Sequence, residues 1–373
     1  MIEKLPVELF LQTSVDNFII DVRSPLEYNH AHIPGAASIP LFTDEERKII
    51  GTAYKQQSKE VAIKMGLDFF GAKMKRIVEE VEDLVRSRQL GVQNKNTFSS
   101  NSELQAQNCI LLYCWRGGMR SAAVAWLLNF YGFTVKVLAE GYKAYRNYVL
   151  QTFNLPFLFK VIGGFTGSGK TELLEELKKA GELTINLEEL ACHKGSAFGK
   201  INMPPQPTQE MFENLLSHEL QAANCKKEKT HSPLRGLGDI WIEDESQRIG
   251  QLNIPTPLWQ TLRQSPVYFL NISFEERLQH LVEEYGSHDT SSITEAISRI
   301  SKQLGRLEAK QAINFFLEGN IAACFGILLN YYDKRYLKAL HNRDNVSALL
   351  TTINCTKVDS KNADLLLNTP VLA

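Results

Sequence analysis

No two of the six cysteines form a CxxC pair, and no Cys/His set has zinc spacing. Cys109, Cys114, Cys192, Cys225, Cys324 and Cys355 are scattered along the chain, which argues against a disulfide framework and against structural zinc. An excess of basic charge is also missing: 41 Lys and Arg face 42 Asp and Glu, a net charge of −1. Composition therefore gives no argument for a polyanion partner and leaves only local clusters such as "KKEK" (226–229) and "RSR" (86–88). Long apolar runs are absent too. "CILLYCW" and "IAACFGILL" fall far short of the roughly 20 residues that cross a bilayer, so no membrane association is expected. The opening "MIEKLPVELF" has no basic start followed by an apolar core, so a cytoplasmic protein is expected. No internal repeat is visible.

What is present is an alternation of strand-like and helix-like stretches over 373 residues, too long for one ordinary core. The pattern runs twice, with "NLPF" as a linker, and predicts α/β domains with parallel sheets over 1–150 and 157–373. In the first, "NFIID", "CILLYC" and "TVKVL" read as strands. Residues 44–90 read as a helical insertion, 91–108 as a polar loop, and "RSAAVAWLLNFYGF" as a helix stopped at Gly132. A further helix is expected from about Tyr142 to Leu150. In the second, "FLFKVIGG", "ELTINLEEL", "GDIWIEDES" and "SPVYFLNIS" carry strands, and the chain reads as mainly helical from Phe274 onward.

"GFTGSGKT" (164–171) matches G-x-x-x-x-G-K-T and stands where that pattern has a mechanism, after a strand and at a helix start. Gly164, Gly167 and Gly169 let the backbone wrap an oxyanion. The amides of Thr166 and Ser168 and the helix N-terminus aim partial positive charge at it. Lys170 adds a full charge, and Thr171 offers a hydroxyl to Mg²⁺, an ion the motif admits without requiring. The pattern calls for a diphosphate or polyphosphate, not for ATP in particular. Asp244, in "IWIEDES", is the candidate metal-facing acid. Arg277 and Arg306 are candidate lid arginines, as in small-molecule kinases. For all three a solvated surface role is the competing reading. No metal ligand set is otherwise predicted, and no tightly bound cofactor.

"YCWRGGMRS" (113–121) puts Cys114 at a strand end, ahead of two glycines, two arginines and a helix start near Arg120. Loop amides, helix terminus and arginines would activate the thiol and hold an anion against it. The other five cysteines read as buried structural residues. Such loops occur in rhodaneses, which carry sulfur as a persulfide, and in Cys-dependent phosphatases with a C-x5-R loop followed by Ser or Thr. Cys114 to Arg120 fits the second spacing, with Ser121 next. Upstream, however, "DVRSPLEYNHAHIPGAASIP" (21–40) closely resembles the rhodanese signature, in which Asp21, Arg23, Glu27, His32 and Gly35 brace the fold. The loop is one residue longer than in common small rhodaneses, giving room for a tetrahedral anion beside the thiol.

A rhodanese-like domain followed by a P-loop NTPase-like α/β domain with a helical C-terminal part, together with "GGFTGSGKTELL", "KGSAFG" and "IEDESQRIG", resembles the tRNA 2-selenouridine synthase family over essentially the whole chain. The resemblance implies a transferase acting on tRNA with 2-thiouridine at the wobble position. It would exchange sulfur for selenium with selenophosphate as donor, through an S-geranyl intermediate made from geranyl diphosphate. Cys114 would then serve the selenium step, and Arg116, Gly117, Gly118, Arg120 and Ser121 would bind selenophosphate. Gly164, Thr166, Gly167, Ser168, Gly169, Lys170 and Thr171 would cradle the diphosphate. An enzyme supplying selenophosphate is an expected partner. Phe165, Phe198 and Trp241 are candidates for a prenyl slot or for plain core packing. Two enzyme readings compete: a Cys-dependent phosphatase, or a sulfurtransferase for another acceptor, each fused to an ATP-using P-loop domain. A regulatory nucleotide-binding module with an inactive rhodanese domain is the non-enzymatic alternative.

Overall fold

The structure, a computed structural model, describes residues 2–92, 109–229, 239–286 and 289–369, with the backbone alone for 88–92 and 225–229. The polar stretch 93–108, the "KKEK" side chains and the Cys225 side chain lie outside this description. The chain forms two compact units, Met1–Gln151 and Thr152–Ala373.

The first unit is built on five parallel strands: β1 (Glu3–Leu5), β2 (Phe18–Asp21), β3 (Ala37–Ser38), β4 (Cys109–Tyr113) and β5 (Thr134–Leu138), in the order β1-β5-β4-β2-β3. β4 lies at the centre. Its run "CILLY" is apolar without alternation because helices cover both faces of a parallel sheet. The expected insertion is three helices, Asp44–Gln56, Lys59–Gly71 and Met74–Val92. Thr43 starts the first with a reciprocal capping pair with Glu46, and Ser58 caps the second. Helix Met119–Tyr131 buries Val124, Ala125 and Leu128 against the sheet and ends at Gly132, whose φ of 119° a larger residue rarely adopts. β1 is a strand the sequence pattern does not announce. Three residues are too few for a period, and its place is set by pairing with β5.

The second unit carries β6 (Leu158–Gly164), β7 (Thr184–Ile185), β8 (Asp239–Glu243), β9 (Arg248–Ile249), β10 (Leu252–Asn253), β11 (Val267–Asn271) and β12 (Leu350–Asn354). The main sheet is parallel, ordered β12-β11-β6-β8-β7, and β9 and β10 form a small antiparallel pair. One expectation is corrected, and one is borne out with an added strand. "ELTINLEEL" yields only two strand residues, because the Asn186 side chain accepts from the Glu189 amide and starts a helix, Leu187–Ala191. The region after Phe274 is helical over 274–285, 290–304, 306–317 and 321–341, but Leu350–Asn354 then returns to the sheet beside β11. Only Ile353 of that edge strand is buried, so it carries little apolar signal. The helices share a core around Ile297, Phe316, Phe325 and Leu328.

Candidate active site

Cys114 follows β4 directly and is buried, with Sγ 3.2 Å from Ser121 Oγ on the first turn of the next helix. That hydroxyl donates to the Gly118 carbonyl at 3.2 Å. The loop is clamped from behind: Tyr142 N donates to Cys114 O at 2.8 Å and Lys143 N to Trp115 O at 3.1 Å. Because its carbonyls are turned to this second helix start, its amides are left over. Among the described residues those of Trp115, Arg116, Gly117 and Gly118 donate to no backbone carbonyl. Uncommitted amides ahead of a helix N-terminus are the makings of an anion site. Two glycines make the clamp fit. Gly117 has φ 58°, and a Cβ there would lie 2.7 Å from Leu138 O; Gly141 has φ 65°, and its Cβ would collide with Cys114 O. Gly141 was not picked from sequence, although a glycine at a strand-to-helix junction is a signal that could have found it.

The two loop arginines differ. Arg116 is exposed, with no recorded partner among the described residues. Arg120 donates to Glu27 Oε2 at 2.8 Å, which also receives Arg47 at 2.9 Å. Burial opposes ionisation of Glu27, but Arg120, the Ser24 amide and Arg47 together hold its carboxyl below the ordinary range. Glu27, expected only to brace the fold, thus also orients a loop arginine. Asp21 and Arg23 do brace it, as a buried ion pair at 2.6 Å, with the Arg23 guanidinium 3.8 Å from the centre of the Tyr142 ring.

In the second unit the segment after β6 closes the phosphate loop through positive φ at Gly164, Gly167 and Gly169. At Gly169 a Cβ would sit 2.8 Å from Val358 Cγ1. Helix Lys170–Lys179 begins at once, and Lys170 Nζ reaches back to Gly164 O at 3.3 Å. Ser168 is buried and donates to Phe165 O at 2.7 Å. Arg277 is no lid. It is buried, forks onto Asp333 at 2.9 and 2.8 Å, and donates to Thr166 O at 3.1 Å, so it fixes the loop from beneath. Arg306 is exposed at the start of helix Arg306–Leu317, and among the described residues no contact ties it to the loop. Of the aromatic candidates, Phe198 and Trp241 are core residues, while Phe165 packs edge-on to Phe269 and under Arg277.

Asp244 is also corrected. Its carboxylate is taken by Arg343 and by Tyr336, whose hydroxyl donates at 2.7 Å and accepts from Gly164 N at 3.1 Å. The acids on this side are Glu188, which accepts from Thr171 Oγ1 at 3.1 Å, Glu243, whose Oε1 accepts from Glu188 N at 2.9 Å, and Glu245, which bonds the Glu188 carboxyl and is held well above the ordinary range by burial and by Glu188 against the pull of Lys170. Burial, reinforced by the Glu188 carboxylate, pushes Glu243 up to about 8, and its Oε2 is buried without a partner. Burial raises Glu188 too, against the pull of Lys170. The Thr171 hydroxyl and the Glu188 carboxyl are oxygen donors of the kind that fits Mg²⁺ shared with phosphate oxygens, although no cluster of three His, Cys, Asp or Glu is in place for a metal among the described residues.

The raised Glu243 has a measurable consequence. Between about pH 4.5 and pH 8 the unfolded chain releases this proton and the folded chain keeps it, so stability falls as pH rises across that window. Glu243→Gln removes the penalty. In chelator, its melting temperature should gain on the parent's steadily from pH 5 to pH 8, as read by thermal denaturation; parallel pH profiles would refute the buried-acid assignment.

Fold and loops together define a chain that joins a rhodanese-like domain to a P-loop domain. The rhodanese-like domain model matches residues 8–148, and the model for the tRNA 2-selenouridine synthase AAA domain matches 157–352. The chain belongs to the tRNA 2-selenouridine synthase family. It is 34% identical over 273 residues to the tRNA 2-selenouridine synthase of Cupriavidus pinatubonensis, covering 72% of this chain and 65% of the relative. To that of Pseudomonas fluorescens it is 31% identical over 361 residues, covering 88% and 89%. To that of Bdellovibrio bacteriovorus it is 34% identical over 303 residues, covering 80% and 72%. Among the described residues no helix is long and apolar enough to cross a membrane.

Proposed function

We propose that the chain is a transferase that modifies tRNA, replacing sulfur by selenium in wobble 2-thiouridine in two steps. In the first, the thiocarbonyl sulfur attacks C1 of geranyl diphosphate. A C–S bond forms, the C–O bond to diphosphate breaks, and the N3 proton leaves. In the second, selenium of selenophosphate attacks C2, the C2–S bond breaks, and geranylthiol departs with the donor's proton. Water then cleaves the Se–P bond, leaving phosphate and 2-selenouridine. No electrons are exchanged with a cofactor, and selenophosphate must come from an enzyme that makes it. Alkylation turns a poor sulfur leaving group into a better one, which gives the first step its purpose.

The observation that supports this reading best is the pairing, in one chain, of a thiol inside an amide-lined cationic loop with a separate phosphate loop. Cys114 with the amides of 115–118 and Arg116 suits the selenophosphate step, with Arg120 beside them on Glu27. The loop at 164–171 with Lys170 suits release of diphosphate, where a fixed cation stabilises the charge that grows on the leaving group. Mg²⁺ held by Thr171 and Glu188 would add to that stabilisation. The test is mass spectrometry of nucleosides from thiolated tRNA incubated with the protein, geranyl diphosphate and selenophosphate. S-geranyl-2-thiouridine is expected with the diphosphate alone and 2-selenouridine when both donors are present. Absence of both products overturns the proposal.

A further inference from the structure

The first unit contains a cavity of about 610 Å³ beside the cysteine loop, with which it shares Arg47 and Arg120. Helices Asp44–Gln56 and Lys59–Gly71 form its walls, and Met119, Arg120 and Ala123, on the helix that follows Cys114, close one side. Its volume falls within the range of small-ligand sites. The lining is apolar: Leu41, Phe42 and Phe70 form a buried base, while Ile63, Leu67 and Met119 are exposed around it. Large apolar side chains grouped around a cavity, instead of scattered singly, mark a binding surface. The charged part of the lining is cationic, with Thr52 and Tyr54 as its uncharged polar members. Arg47, Lys48, Lys55 and Arg120 contribute, and among the described residues none that lines it is acidic. The nearby carboxylate, Glu27, holds Arg47 and Arg120 together and so fixes two of these cations.

The occupant this chemistry selects is a hydrocarbon chain joined to an anion. We propose that the cavity receives the prenyl chain of the S-alkylated RNA, so that the apolar group is housed beside the cysteine loop while the cations meet the RNA backbone. The proposal rests on the two-step reading above and adds to it where the chain sits at the selenium step. It also gives the apolar group a home that the second unit does not offer through Phe198 and Trp241, which are committed to cores.

The test is equilibrium binding of the full chain to anticodon stem-loop oligonucleotides carrying S-geranyl or S-methyl 2-thiouridine. Each buried methylene is worth about fourfold in affinity, so the parent should prefer the geranyl strand by at least about tenfold even with the chain partly covered. Leu67→Asn and Ile63→Asn, both at exposed positions, should remove most of that preference. Leu67→Met should keep it, and S-methyl binding should stay constant throughout. Diphosphate release from free geranyl diphosphate should also be unchanged in the Asn variants. A retained preference in both Asn variants overturns the assignment, as does slowed geranyl transfer with the preference intact, which would make the free donor the occupant. The two readings fail separately. If the parent makes no 2-selenouridine from S-geranyl RNA, the proposed reaction falls; if it does and the Asn variants match its KM, only the cavity assignment falls.

Discussion

Cys114→Ala is expected to lower selenium incorporation by about 10³-fold or more, the order of loss when a nucleophile or an acid–base group is removed, while geranylation of the same tRNA continues at the parent's rate. The separation follows from placement. The thiol is enclosed by its own loop, by Ser121 at 3.2 Å and by the Gly141 turn, all within the first unit. The phosphate loop has its own braces within the second unit, Arg277, Tyr336 and Asp333. The substitution removes one sulfur atom from a site that backbone hydrogen bonds hold in shape, so the unit should fold and its melting temperature should stay close to the parent's. Nucleoside mass spectrometry of single-turnover reactions reads both products together. Equal loss of both steps in a folded variant would show that the thiol serves the alkylation as well, and the assignment of steps to units would be wrong.

How much of this was legible in the sequence depends on distance along the chain. Cys114, the glycines after it and the 164–171 loop lie in contiguous stretches whose backbone requirements are local, and they could be read directly. Glu27 and Arg120 meet across 93 residues, and no local pattern couples them. The same holds for Thr171 and Glu188, which a short helix starting at Asn186 turns toward each other. Asp244, the acid chosen from "IWIEDES", faces away from the loop's other acids. Successive residues at a strand end face opposite ways; Glu243 and Glu245 turn to the Glu188 side and Asp244 to Arg343 and Tyr336. Arg277 illustrates a different limit. A helix arginine looks the same in sequence whether it reaches for a ligand or lies under a loop, and only the Asp333 fork and the Thr166 carbonyl decide. β12 escaped because an edge strand with one buried residue has little apolar pattern to show.

Lys170→Ala should slow geranylation by about 10²–10³-fold, the usual loss when one preorganised charge on a developing anion is removed, and should leave selenation of RNA that already carries the S-geranyl group near the parent's rate. The lysine is held for the task. It opens the helix after Gly169, and its ammonium reaches the Gly164 carbonyl at 3.3 Å, at the start of the loop that would receive the diphosphate. Lys170→Arg should not restore the rate, since a planar fork cannot occupy the place of a compact ammonium inside a closed loop. The same measurement separates this chemistry from the ATP-using alternatives. Diphosphate should be released in step with S-geranyl nucleoside in the absence of any nucleotide, and added ATP should compete for the loop without being consumed. If ATP turnover were required and Lys170→Ala abolished it together with selenation of the pre-alkylated RNA, the loop would be an acceptor-activating site, and the role of geranyl diphosphate would have to be given up.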